Sequence, residues 1–117
     1  MYNKAKRDEE KCQKESAYKN LYNISYRYLK PLSNLASKYG DKSFKSKLPV
    51  EEESLKNIYP TLRKDLELFR LRLYEFPEEI REILCDFYTE EPMTVRDAYR
   101  KISKICEITD KFLKNKR

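Results

Sequence analysis

The sequence has no histidine, no tryptophan and a single glycine, Gly40. Without histidine, the usual general base and the commonest metal ligand are both missing. The three cysteines, Cys12, Cys85 and Cys106, form no CxxC pair. A zinc site is therefore not expected, and no cofactor is expected either. One glycine and five prolines are too few turn-formers for an all-β sandwich. They also leave no room for a glycine-rich phosphate loop or a nucleophile elbow. Paired carboxylates occur at Glu51–Glu53 and at Glu78 and Glu79. Both groups sit at expected helix starts, where the positive end of the helix dipole is cause enough for them. An enzyme is not expected. No stretch approaches the roughly 18–20 apolar residues of a membrane span. The first twenty residues are rich in charge and lack the apolar run of a signal peptide. The expected setting is cytoplasmic, away from membranes.

What the chain does have is charge and aromatic surface. Charged residues make up 39% of it, against about 25% in ordinary domains. Hydrophobic residues also reach 39%, including ten tyrosines and five phenylalanines. That is too much apolar surface for a disordered chain. A charged, glycine-poor chain of 117 residues predicts an all-α fold. We expect a small bundle of three to five helices in one domain over 17–117. Residues 1–16 have almost no apolar face and predict a charged arm or helical extension. Charge falls in blocks. Residues 1–48 carry a net +7, residues 49–92 a net −6 and residues 93–117 a net +5.

Apolar residues recur every three or four positions from Tyr18 through Leu21, Ser25, Tyr28, Leu32 and Leu35 to Tyr39. This spacing marks one helical face. Pro31 predicts a kink or break within it, and Gly40 a left-handed cap at its end. A second stripe runs from Leu55 through Leu62, Leu66 and Phe69 to Phe76. There Leu68 and Leu71 widen the apolar arc and suggest a central helix over 55–75, with Pro60 splitting off its first turn and a half. Pro77-Glu78-Glu79 opens a third helix, with Ile80, Ile83, Leu84, Phe87 and Tyr88 on one face. Thr94 and Asp97 have capping-box spacing. The stripe Val95, Ala98, Tyr99, Ile102, Ile105, Cys106, Thr109 and Phe112 then continues past Ser103. It fits one long helix, or two helices with a turn. Cys85 and Cys106 are expected to be buried thiols.

The last helix offers a basic face for phosphate: Arg96, Arg100, Lys101, Lys104 and Lys111. Tyr26, near Arg27 and Lys30, is expected to be a half-buried rim aromatic. Residues 76–113 resemble the DNA-reading region 4 of bacterial sigma factors and the ArpU-type phage transcription regulators built on that unit. The matching residues are Pro77-Glu78-Glu79, the helix Ile80 to Tyr88, Val95-Arg96-Asp97-Ala98 and Ile102. Ser103 and Lys104 stand where that family places glycine and an apolar residue. The resemblance implies a C-terminal helix-turn-helix, of degenerate form here, and a small DNA-associated transcription regulator of phage or mobile-element type. Its partners would be DNA or the transcription machinery. The alternative is a non-enzymatic helical module that binds and modulates a host protein. A homodimer is compatible with either reading.

Overall fold

A computed structural model describes residues 2–45, 48–50, 52–89 and 93–115, with the backbone alone at 2–13, 53 and 54. The side chains of residues 1–13, Cys12 among them, and residues 46, 47, 51, 90–92, 116 and 117 lie outside this description. The elements are α1 (Tyr2–Tyr39), α2 (Glu53–Lys56), α3 (Ile58–Leu66), a 3-10 segment (Glu67–Glu75), α4 (Glu78–Tyr88) and α5 (Val95–Asn115). No strand occurs among the described residues. The fold is the expected all-α bundle.

Its centre is the antiparallel pair of α1 and α5, not the 55–75 region. At one end Tyr18 stacks on Phe112, with centroids 3.8 Å apart. At the other, Asp41, just beyond α1, pairs with Arg96 on the first turn of α5. Leu21, Leu32 and Leu35 from α1 are buried, as are Val95, Ala98, Ile102 and Ile105 from α5. Each fully buried leucine, isoleucine or valine contributes roughly 1.5–3 kcal/mol. Pro31 removes one backbone hydrogen bond, yet α1 runs through it unbroken. The buried Tyr28, Leu32 and Leu35 on either side hold the helix together there.

The loop after α1 also completes α5. The backbone N–H groups of Val95 and Arg96 donate to the carbonyls of Lys42 (3.0 Å) and Gly40 (3.1 Å). The N–H of Asp97 donates to Thr94 Oγ1 at 3.1 Å, so Thr94 caps α5 as its spacing predicts. Three donors that a helix start leaves unpaired are thereby satisfied. Gly40 departs from expectation, because no glycine has a positive φ. Its lack of a side chain serves a close approach instead. A Cβ there would lie 2.6 Å from the Ala36 carbonyl oxygen and 2.9 Å from a guanidinium nitrogen of Arg96.

The expected central helix over 55–75 is in fact three pieces. It breaks at Asn57, three residues before Pro60. Pro60 therefore falls in the first turn of α3, where its missing N–H costs nothing. After Leu66 the chain tightens to a 3-10 helix, and Arg72 leaves helical geometry altogether. Leu66, Phe69 and Phe76 are buried, as the stripe predicts. Leu68 and Leu71 are not: they are 71% and 89% exposed. Even at 100° per residue, Leu68 falls about 120° and Leu71 about 180° from the middle of the Leu55–Phe76 stripe, so neither shares its face. In a 3-10 helix, residues i and i+3 eclipse. Phe69 turns to the core and Leu68 and Leu71 face outward; Tyr74, beyond the break at Arg72, is exposed as well.

Polar ties lock α3 to its neighbours. The Tyr28 hydroxyl donates to Asp65 Oδ2 at 2.5 Å, joining α1 to α3. Burial and this bond push the Tyr28 hydroxyl well above its usual range. Arg63 Nε donates to the Phe87 carbonyl (2.8 Å), placing a cation over the C-terminus of α4. The Tyr88 hydroxyl donates to the Leu66 carbonyl (2.7 Å), and burial raises it to about 12.

Candidate nucleic-acid interface

α5 is strongly two-faced. Its buried residues, Val95 to Thr109, lie on one arc. At 100° per residue, Arg96, Arg100, Lys104, Lys111 and Lys114 fall on the opposite arc, and all five are exposed. Glu107 sits among them. α5 is continuous from Val95 to Asn115, so the one-helix alternative is the one adopted. The turn that a helix-turn-helix within 94–114 needs at Ser103 is not there. Ile102, Ile105 and Cys106, on both sides of that position, are all buried against the rest of the bundle in a single helical register. A separate reading helix is therefore not formed in this stretch.

The sequence-predicted cations have divided roles. Arg96 Nη1 lies 2.5 Å from Asp41 Oδ1 and holds the α1–α5 corner. Lys101 is half-buried at the rim of the arc, with Nζ 3.0 Å from Asp86 Oδ2 on α4. These two are ties between elements. Lys104 is 3.9 Å from Glu107 on its own helix. Arg100 and Lys111 form no ion pair with any described residue. All these pairs are substantially exposed and so weak that phosphate can compete for the cations.

A second basic surface lies on α1. Between Glu15 and Asp41 the sequence contains no acidic residue. The exposed face of this stretch carries Lys19, Arg27, Lys30 and Lys38 among asparagines and serines. None of the four pairs with an acid among the described residues. From Lys19 to Lys38 the row spans about 28 Å at 1.5 Å per residue. Tyr26 is 61% exposed rather than half-buried, and stacks on Tyr22 with centroids 5.8 Å apart. Lys19 and Lys38 escape a motif-based reading because a four-residue window around each shows nothing unusual. The signal is the length of the acid-free run.

Of the thiols, Cys106 is buried and Cys85 exposed; both are free. Cys85 lies opposite Ile80, Leu84 and Phe87 on α4, which explains the departure from expectation. Burial pushes the Cys106 thiol up to about 11, with Asp110 adding to the shift. Among the described residues no cluster of acids and cysteines has metal-site form, and no helix is long and apolar enough to cross a membrane. No protein-family model, curated protein or solved structure matches the chain.

Proposed function

We propose that this protein is a small DNA-associated regulator that grips the phosphate backbone with the outer faces of α1 and α5. The observation that carries the reading is the acid-free face of α1, with four exposed cations and no intramolecular partner for any of them among the described residues. An ordinary solvated helix face mixes both signs of charge, whereas a face that follows phosphate holds one. Arg100, Lys104 and Lys111 extend the surface onto α5. Because α5 is one helix bound into the core, phosphate contact is favoured over base reading, and sequence preference should be shallow.

The test is binding to random duplex DNA across a salt series. The parent should bind at low salt and lose affinity steeply as salt rises. A variant carrying Lys19→Gln, Arg27→Gln, Lys30→Gln and Lys38→Gln should have a shallower salt slope, by about 0.9 for each phosphate that is no longer neutralised. Arg96 and Lys101 are left intact because they tie elements together. No binding at low salt, or a variant that binds like the parent, would refute the reading.

A further inference from the structure

The outward face of α1 carries an aromatic ring as well as cations. Tyr26 is 61% exposed within the acid-free stretch between Glu15 and Asp41. A lysine or glutamine forms helix better at an exposed position, so helix stability does not account for a tyrosine there. Tyr22, one turn earlier and half-buried, stacks against it, with centroids 5.8 Å apart and planes inclined by 25°. That contact limits the motion of the Tyr26 ring, so less freedom is lost when a flat group settles on it. Tyr74, the other mostly exposed tyrosine among the described residues, has a different setting. It lies in the chain between Arg72 and Glu75, which pair with each other at 2.6 Å.

Spacing and charge select what the Tyr26 ring can take. At 100° per residue, Lys19 lies about 20° and Lys30 about 40° round the helix from Tyr26, and Arg27 about 100°. Along the axis, Lys19 is about 10 Å before Tyr26 and Lys30 about 6 Å after it. The ring thus has a cation beyond it in each direction along α1 and a third at its flank. The neighbours Asn23 and Ser37 are exposed and uncharged. A ring with cations on both sides suits a polymer that alternates flat groups with anions. A nucleic-acid strand has that form, but its bases must be free. In a duplex each base is covered by its neighbours in the stack, and phosphates alone reach the face of α1. An unpaired strand can lay a base on an aromatic ring while its phosphates meet the cations on either side.

We infer that α1 binds an unpaired stretch of DNA, with one base stacked on Tyr26 and the adjoining phosphates held by Lys19, Arg27 and Lys30. The inference rests on the phosphate-binding reading above and adds the strand state of the ligand.

The test compares three fluorescent probes of equal length, followed by anisotropy on the full chain at low salt. They are a thymidine strand, an abasic strand with the same phosphates and no bases, and a duplex. The thymidine strand should bind at least about fivefold more tightly than the abasic strand, the lower bound for one base–ring stack. Tyr26→Ala should remove that advantage. The circular dichroism spectrum, the salt slope and the affinities for the abasic strand and the duplex should not change, because the ring is outside the core and uncharged. Tyr26→Phe keeps the ring and should bind the thymidine strand within about twofold of the parent. Equal binding of the thymidine strand by the parent and Tyr26→Ala, or an equal loss with the abasic strand, would overturn the inference. Salt-sensitive duplex binding alongside either result would leave the phosphate reading standing. If no probe binds at low salt, both fall.

Discussion

Gly40→Ala should destabilise the protein, although nothing about the backbone angle at Gly40 forbids alanine. The added Cβ would meet the Ala36 carbonyl oxygen at 2.6 Å and the Arg96 guanidinium at 2.9 and 3.1 Å. The guanidinium can swing aside, and losing its exposed pair with Asp41 costs only about 0–1 kcal/mol. The carbonyl belongs to the last turn of α1 and cannot move alone. Gly40 also accepts the Arg96 N–H, so any shift disturbs the start of α5. Overpacking of this kind costs roughly 1–3 kcal/mol. Alanine returns about 0.4–1 kcal/mol by restricting the unfolded chain. The net expectation is a loss of about 1–2 kcal/mol, read as a lowered urea midpoint at unchanged slope. A double-mutant cycle with Arg96→Ala divides the effect. The guanidinium share should appear as a coupling of about 0.5 kcal/mol or more, and the carbonyl share should persist. An unchanged or raised midpoint in Gly40→Ala would refute the close-approach argument.

Ser25 is fully buried and its hydroxyl has no hydrogen-bond partner among the described residues. Ser25→Ala should therefore raise stability by about 1 kcal/mol, and a lowered denaturation midpoint would contradict this. Cys85 should react with a thiol reagent at neutral pH in the folded protein and Cys106 only on unfolding; equal rates would contradict the burial difference. Cys106 has a raised folded pKa, so its contribution is fully present below the unfolded value of 9.0 and is lost as pH climbs toward about 11. Comparing the pH dependence of stability for the parent and Cys106→Ala should show a fall between these values that the variant lacks.

Much of the fold is legible in the sequence because helical period and burial coincide in α1, α4 and α5. Each residue from Tyr18 to Tyr39 assigned to the first stripe is buried or half-buried. So is each from Val95 to Phe112 on the last. The Thr94 cap is legible as well, since capping is a local interaction. The reading fails at Leu68 and Leu71, which lie about 120° and 180° from the middle of the second stripe at 100° per residue and so do not extend its arc. The tightening after Leu66 is also hidden, because nothing in the local sequence signals it. The role of Gly40 is hidden because its neighbour is Arg96, far along the chain. Four of the five candidate cations of the last helix lie on the exposed surface and Lys101 lies at its rim. The partners of Arg96 and Lys101, however, come from other elements. Their structural duty is therefore invisible in the α5 sequence.

The pairing of α1 with α5 sets a timetable for the nascent chain. The Arg96–Asp41 pair spans 55 positions, and Tyr18 waits for Phe112 from almost the full described length away. At 5–20 residues per second, translation leaves on the order of 4–15 s between completion of α1 and of α5. Throughout that interval Leu21, Tyr28, Leu32 and Leu35 have no α5 to cover them. The stretch 16–40 of the same helix is acid-free and positive, so two emerging α1 segments repel one another while their apolar faces are still bare.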